Sequence, residues 1–581
     1  MHVPPGLAYA AVLLPVLAAV AAWLGFRGSD VQLGVDLGTS FSAAAYSDGG
    51  GAWIGAAAPA WAASLGALLR RAGGGAAADA LSLSLSSEAS SASAAARVVT
   101  NLDGEATTPS VVAIEGGAFL VGRRAVAHLE NFPHEGVLDG KRVIGRRRGD
   151  ATVAAEAQRH GGRLMLHPHA FRSAGTGRPA SAAVVGSGGG ALSALAALLG
   201  PLASRIAESR VGRALGLASA PGGFSAGAPA WCADCERELA FAIPLLRQTE
   251  REARALAAHP CVDAGSLVEL EAAGGDGGSG GGDDELSDSP AALAQRLRRL
   301  AARLGGPRFF LLLTPQAAAC VLLSYLRESA SRALPYVSLS SATACVPAEF
   351  DAVQRRATLE AFSRAGLRVA RTLHEPTAAA AAYGLHERAD VHYVLVFDMG
   401  GGTLDVSVLF LGEGAFTVIG TAGDNGLGGE DFDDCLGAEM LRGAAAAAAA
   451  VNSPAPLCAP EALNLEAERV KLALGREERV EWSSAAEAGA GGGSRCAGVV
   501  TRVDFERACA PLFDRSVAPV VQALENANVK AAEVDELVLV GGSSRLLAVR
   551  RRLQAHFGGR ELRTTVDPDL AVALGAAASR V

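Results

Sequence analysis

The stretch FDMGGGTLDVSVLF at 397–410 sets three consecutive glycines between two aspartates, with apolar residues on both sides. An Asp at the end of a strand, followed by glycines, places a carboxylate beside bare backbone amides. Such amides can cradle phosphate oxygens, because glycine lets the backbone approach closely and turn with positive φ. The carboxylate repels phosphate, but it can hold Mg2+ through water, since Mg2+ prefers oxygen ligands and keeps much of its hydration shell. A second stretch, LGVDLGTSFSAAAY at 33–46, repeats the design: apolar strand, Asp, glycine-bearing turn, hydroxyl, apolar strand. Each reads as a β-hairpin that opens one half of the molecule. Two such halves facing each other would form a cleft, with Asp36 and Asp398 gripping one nucleotide from both sides. Alone, a Gly-rich hairpin with a surface Asp is an ordinary turn; the duplication favours the nucleotide reading. There is no G-x-x-x-x-G-K-[ST] and no well-placed G-x-G-x-x-G after a strand, so the chain is not a P-loop protein.

The elements that must position these residues come from a chain of 581 residues, half of them hydrophobic. That length supports two or more domains with sizeable cores. A net charge of −8 argues against general nucleic-acid binding. Alanine, glycine and arginine dominate, and only three lysines occur: Lys141, Lys471 and Lys530. Nine cysteines make no dense disulfide framework at this length. WCADC at 231–235 has the redox spacing, with Cys232 and Cys235 free to pair. Cys261 beside His259 makes a zinc site conceivable; chance spacing is the plainer reading.

No charge occurs from Val3 to Phe26. This run suits a signal peptide or signal anchor over residues 1–28, with a buried Ala-rich helix as the alternative. Low-complexity sequence fills about 49–96. Composition shifts again at about 173–307, which reads as an insertion with some helices and a flexible acidic linker. AALAQRLRRLAARL at 291–304 is a basic amphipathic helix, suited to a membrane, a partner or a solvated surface. Patterned sequence resumes at 309 and runs to the end.

The two hairpins, VLVGGSSRL at 538–546 and LHEPTAAAAAYGL at 373–385 resemble the ATPase domain of the heat-shock protein 70 family. TTPSVVAI at 107, LDGKRVIGRR at 138, CVPAEFDAVQRRAT at 345, TAGDNGLGGEDFDD at 421 and VDPDLAVALGAA at 566 follow in the family's order. The resemblance covers about 31–172 and 308–581. It implies an α/β, actin-like ATPase fold, with two duplicated ribonuclease-H-like lobes around a nucleotide cleft. Lobe I would span 29–390, carrying the two insertions, and lobe II 391–581.

The resemblance also implies roles. Asp36 and Asp398 would surround hydrated Mg2+. Gly38, Thr39 and Ser40 would form the first phosphate loop, and Gly400, Gly401, Gly402 and Thr403 the second. Lys141 matches the catalytic lysine, and Glu375 and Asp405 carboxylates near Mg2+ and the attacking water. Gly428, Gly429, Glu430, Glu468, Lys471, Gly541, Gly542, Ser543, Arg545 and Asp569 would line the nucleoside side. Pro347 and Arg355 match a pair that relays nucleotide state between lobes. The chain departs from the family at Leu472, where a second adenine-stacking cation stands, and at Gly475, where a hydroxyl stands.

The sequence ends at Val581, where the resemblance to the ATPase domain closes. With the hydrophobic N-terminus, this is similar to the short microsomal members of the family, which lack the peptide-binding domain. The expectation is a slow Mg-dependent ATPase with ATP and ADP as ligands, in the endoplasmic reticulum. Nucleotide exchange factors are the expected partners; nucleic acid is not, and a membrane only through an uncleaved N-terminal segment. Two rivals stand: a non-catalytic nucleotide-dependent scaffold, and a sugar kinase on the same fold. No acceptor site supports the kinase.

Overall fold

In the computed structural model, the described residues are 30–47, 96–146 apart from 130, 133 and 139, and 309–579 apart from 335, 336, 452–459 and 485–495. Between 150 and 307 they are 150, 153, 164–166, 239–245, 248–263, 266–270, 290–303 and 307. The proposed signal segment, the 49–95 stretch, Cys232 and Cys235 lie outside them. The chain divides into two compact units. The described parts of 1–114, 119–145 and 316–581 form one, and those of 115–118 and 146–315 form the other.

The first unit contains both expected hairpins. Asp30–Asp36 pairs antiparallel with Phe41–Tyr46, Asp36 lying opposite Ala43. Tyr393–Met399 pairs antiparallel with Leu404–Gly412, Asp398 lying opposite Asp405. The duplication extends beyond the hairpins. Each first strand also takes a parallel partner from later in the chain: Ser338–Val346 beside Asp30–Asp36, and Glu536–Val540 beside Tyr393–Met399. Parallel partners on one side demand burial on both faces. Accordingly consecutive residues, which point to opposite faces, are buried: Val394, Leu395, Val396 and Phe397 in one strand, and Leu537, Val538 and Leu539 in its parallel partner.

Alanine-rich sequence becomes close helix packing. Glu375–Ala382 and Ala571–Ala578 meet so tightly that a Cβ on Gly575 would stand 1.7 Å from the Ala378 carbonyl oxygen. A Cβ on Gly34 would come within 2.3 Å of the Ala577 nitrogen. Small residues let the Ala571–Ala578 backbone touch the first hairpin directly, fixing the strand that ends in Asp36. Around the second sheet the core is larger and aromatic: Phe432 and Phe513 have ring centroids 4.6 Å apart, with Phe505 5.4 Å from Phe513. Cys435 and Cys509 form a disulfide within this part of the molecule.

The second unit holds a four-stranded antiparallel sheet in the order Leu267–Glu269, Phe309–Leu313, Leu239–Pro244, Leu164–Leu166. Two of these strands fall inside the 173–307 stretch that composition marks as an insertion. The amphipathic helix is present as Pro290–Arg303. Its Leu297, Leu300 and Ala301 are buried against Ala240, Ala242, Val268, Phe310 and Leu312. The apolar face thus covers the unit's own sheet and is not a membrane or partner surface; only the polar face is solvated. Among the described residues, no helix is long and apolar enough to cross a membrane.

Candidate nucleotide site

The site is assembled by the ends of the two hairpins. Asp36 closes its strand, and the loop of Leu37 to Ser40 follows. Ser110 anchors this loop: its hydroxyl donates to the Gly38 carbonyl at 2.8 Å, and its amide donates to the Ser40 carbonyl at 2.8 Å. Thr39 is half-buried within it. Asp398 occupies the matching place in the second hairpin. Gly400 donates to the Thr403 carbonyl at 3.1 Å, closing the second loop, and the Thr403 hydroxyl donates to Asp405 at 3.2 Å. The amides of Gly429 and Glu430 donate to the carbonyls of Gly400 and Gly401 at 3.0 and 2.8 Å. The second loop is therefore held by the N-terminus of the Gly429–Ala450 helix.

Gly38 and Gly400 to Gly402 do not have positive φ, contrary to the sequence-based reason for their presence. Close approach selects Gly38, Gly401 and Gly402, whereas a Cβ on Gly400 would meet nothing nearer than the Thr403 carbonyl oxygen at 4.0 Å. A Cβ on Gly401 would lie 2.0 Å from the Ser40 hydroxyl, and one on Gly428 2.3 Å from the Gly401 carbonyl oxygen. Gly541 does need a left-handed backbone, at φ +77°, and a Cβ there would meet the Met399 carbonyl at 2.3 Å.

Lys141 arrives from a different element. The strand Gly136–Val137 pairs with Val112–Glu115 and leads into the 3-10 turn Gly140–Val143. There the Lys141 ammonium donates to Glu375 at 2.7 Å. Glu375 is the first residue of its helix and is buried. Burial works against the lysine's charge, but Glu375, Asp36 and Asp398 together hold its proton more tightly than usual. The carboxylates shift the other way. Burial, then Glu375, pushes Asp36 up to about 7, with Lys141 opposing. Burial, Glu375 and Asp405 raise Asp398 well above the ordinary range. Asp405 rises to about 6 through burial, Glu375 and Glu349. One cation thus faces several crowded carboxylates, an excess of negative charge that oxygen-preferring Mg2+ would offset. The donor set fits the metal, with Asp36 and Asp398 as the residues to hold it through water.

The nucleoside-side candidates fall into two groups. Gly429, Lys471 and Ser543 converge: a Cβ on Gly429 would stand 2.5 Å from the Ser543 hydroxyl and 3.1 Å from the Lys471 ammonium. Lys471 donates to the Gly429 carbonyl at 2.9 Å and to Asp433 at 2.7 Å. Glu468 is exposed one turn earlier on the same helix. The other group is Arg545, Gly542 and Asp569. Arg545 is exposed and donates to Asp569 at 3.0 Å, and a Cβ on Gly542 would lie 3.0 Å from Asp569. Glu430 accepts from Ser40 at 3.5 Å and Arg142 at 3.2 Å, tying it to the phosphate loops. Arg355 donates to the carbonyls of Phe350 and Ala348, bracing the turn after Pro347. Pro347 lines a pocket with Glu349, Glu375, Asp398 and Asp405.

Three residues of the site were not singled out from sequence: Asp433, Glu349 and Arg142. Each lies in a segment that carries the family resemblance, but nothing in its type or spacing separates it from its neighbours. The zinc reading at His259 does not hold. Cys261 is disulfide-bonded, and its amide donates to His259 Nδ1 at 3.2 Å. Among the described residues, no three His, Cys, Asp or Glu side chains are placed to ligate one ion directly.

Two half-sites are built on one plan, each an Asp and a glycine loop on a hairpin flanked by a parallel strand. The chain belongs to the heat-shock protein 70 family: the family model "Hsp70 protein" matches residues 85–169 and 302–580, more than half of its length. The actin-like ATPase fold is the fold of that family, whose members are ATPases. A curated relative, heat shock 70 kDa protein BIP3 of Oryza sativa subsp. japonica, is 40% identical over 277 residues. The match takes in 46% of this chain and 39% of the rice protein, so the chain spans well under half of that relative's length.

Proposed function

We propose that this chain binds ATP with Mg2+ between its two glycine loops and hydrolyses it slowly, as a chaperone-type ATPase of the secretory pathway. The observation that carries the reading is the 2.7 Å pair of Lys141 and Glu375, set among Asp36, Asp398 and Asp405. Bound Mg2+ would add positive charge at the phosphates. Water attacks the γ-phosphorus in line, and the bond to the ADP oxygen breaks. Lys141 offsets the charge on the γ-phosphoryl oxygens and orients the water. Glu375 fixes that ammonium in place. Asp405, titrating near 6, is suited to take the water's proton. Gly428, Gly429, Glu430, Glu468, Lys471, Gly541, Gly542, Ser543, Arg545 and Asp569 take the nucleoside side. Arg355, bracing the Pro347 turn beside Glu375, carries nucleotide state outward.

The uncharged run from Val3 to Phe26 supports entry into the endoplasmic reticulum, as a cleaved or anchoring segment. The Cys435–Cys509 disulfide supports an oxidising compartment. Exchange factors of the family are the expected partners.

Phosphate release from Mg-ATP tests the reading. Lys141→Ala lowers it by roughly 10²-fold, the usual cost of one preorganised charge, while ATP binding survives. Equal turnover in both proteins refutes the role of Lys141. Binding without any phosphate release in the unmodified protein supports the scaffold instead.

A further inference from the structure

The helix Pro290–Arg303 commits its apolar stripe to the second unit's own core, where Leu297, Leu300 and Ala301 are buried. Its opposite stripe is Gln295, Arg298, Arg299, Ala302 and Arg303, all exposed, at the spacing of one helix face. The three arginines span about 8 Å along the helix axis. None of them has a hydrogen bond or an ion pair among the described residues. The helix contains no acidic residue. Other exposed helix arginines of this chain do meet a carboxylate about one turn earlier: Arg254 meets Glu250, Arg332 meets Glu328, Arg469 meets Glu466 and Arg507 meets Asp504. The stripe also works against its own helix, since Arg299 and Arg303, four positions apart, repel each other. Arg298 and Arg299 lie in a stretch that the family match leaves out.

We propose that Arg298, Arg299 and Arg303 form a docking face for an acidic segment of a partner protein, one that brings its carboxylates into that span. The inference stands apart from the nucleotide reading. Charge complementarity selects the partner: a chain of net charge −8 presents a positive stripe with no counter-charge among its described residues. Each guanidinium is a planar fork that pairs with a carboxylate through two parallel hydrogen bonds. The overall negative charge opposes a long polyanion such as nucleic acid. With Leu297 and Leu300 buried in the sheet, the helix has no apolar face to sink into a lipid surface. A short acidic segment meets neither obstacle. Because the pairs form at an exposed surface, the contact is weak, reversible and sensitive to salt.

The test is fluorescence anisotropy of a labelled oligoglutamate peptide with the full chain. The unmodified protein binds it, more weakly as ionic strength rises. Arg298→Gln, Arg299→Gln and Arg303→Gln together weaken binding by roughly tenfold, the combined effect of three exposed pairs. Arg332→Gln, at an exposed arginine of another helix, leaves binding unchanged. Urea denaturation finds the triple variant no less stable than the unmodified protein, since only like-charge repulsion is lost. A triple variant that binds equally well, or that is less stable, overturns the docking face. Stripe-dependent binding that is tighter for an oligonucleotide or for anionic phospholipid vesicles overturns the choice of partner. The sequence places Asp283, Asp284, Glu285 and Asp288 just before the helix. If oligoglutamate binds only after Asp283→Asn, Asp284→Asn, Glu285→Gln and Asp288→Asn, the chain's own acidic run occupies the stripe and the partner reading falls. No binding with or without those changes overturns the proposal outright.

Discussion

The ammonium of Lys471 lies 2.7 Å from the Asp433 carboxylate, and both side chains are buried. The same ammonium donates to the Gly429 carbonyl, at the start of the helix that carries Glu430 and Asp433. Lys471 therefore ties the Pro460–Leu474 helix to the helix end that holds the second glycine loop. In a chain that uses arginine almost everywhere, this enclosed place holds one of three lysines, a compact ammonium with two partners at hydrogen-bond distance.

Removing one partner leaves the other buried without its counter-charge. Lys471→Met should lower unfolding stability by about 3–5 kcal/mol, the usual cost of breaking a buried pair. Asp433 is pushed up to about 7 by burial, with Lys471 opposing, so the pair is carried at a cost. Lys471→Met combined with Asp433→Leu should recover much of the loss, because a matched apolar pair has no desolvation to offset. Urea denaturation of the two variants measures this. A double variant as unstable as the single would show that the pair does more than balance charge.

The crowded carboxylates give the nucleotide-free protein a definite pH dependence. Asp36 titrates near 7 in the folded state against an ordinary value near 4, so the folded form holds the extra proton between those limits. Stability contributed by that proton is present at low pH and falls as pH rises from about 4 through about 7. Asp36→Asn removes this loss. The stability difference, variant minus unmodified protein, should grow across that window and stay level above it. Urea denaturation at several pH values without nucleotide reads the difference directly. A difference that is flat with pH would place Asp36 in a solvated setting.

Much of this site was legible in the sequence because it is local. The apolar runs around Asp36 and Asp398 are strand patterns, and the D-x-G spacing puts each carboxylate at a loop. Lys141 and Lys471 stood out through scarcity. The pairings were not legible, since they join distant residues: Arg142 and Glu430 are 288 positions apart, and an arginine among so many carries no signal. The glycines show a further limit. Their type reveals that a side chain cannot be accommodated, but φ and close approach leave the same trace in sequence. The 290–303 helix shows another: its apolar stripe is plain, but the strands that cover it lie on either side in sequence, at 239–244 and 309–313.

The Cys435–Cys509 disulfide closes a loop with a sequence separation of 74 residues, which encloses the Lys471 helix. A cross-link of that span removes denatured-state freedom worth roughly 4 kcal/mol in the chain-entropy model. Cys435→Ala with Cys509→Ala should therefore lower stability by about 2–4 kcal/mol, and dithiothreitol should destabilise the unmodified protein more than the double variant, which keeps the disulfides of Cys261, Cys320 and Cys496. Melting curves with and without reductant make the comparison. An unmodified protein indifferent to reductant would indicate that the two thiols are not joined.

Leu472 follows the buried Lys471 and is 64% exposed, while Arg545 is the exposed cation of the facing segment, donating to Asp569. A guanidinium plane over an aromatic base contributes on the order of 0.5–2 kcal/mol, depending on desolvation. Under the nucleotide reading proposed above, leucine at 472 leaves the base one such partner, and apolar contact recovers only part of the second. ADP should therefore leave readily, and Leu472→Arg should tighten its binding several-fold, mainly through a slower off-rate. The exposure of Leu472 leaves room for the longer side chain without disturbing the core. Gly475→Ser should add less. Its Cβ would lie 3.1 Å from the Leu472 carbonyl, a tight contact that offsets part of any gain from the hydroxyl. Calorimetry and stopped-flow release of labelled ADP measure both variants. Unchanged or weaker ADP binding by Leu472→Arg would place the base away from this helix, and with it the assignment of Glu468 to the nucleoside pocket would fall.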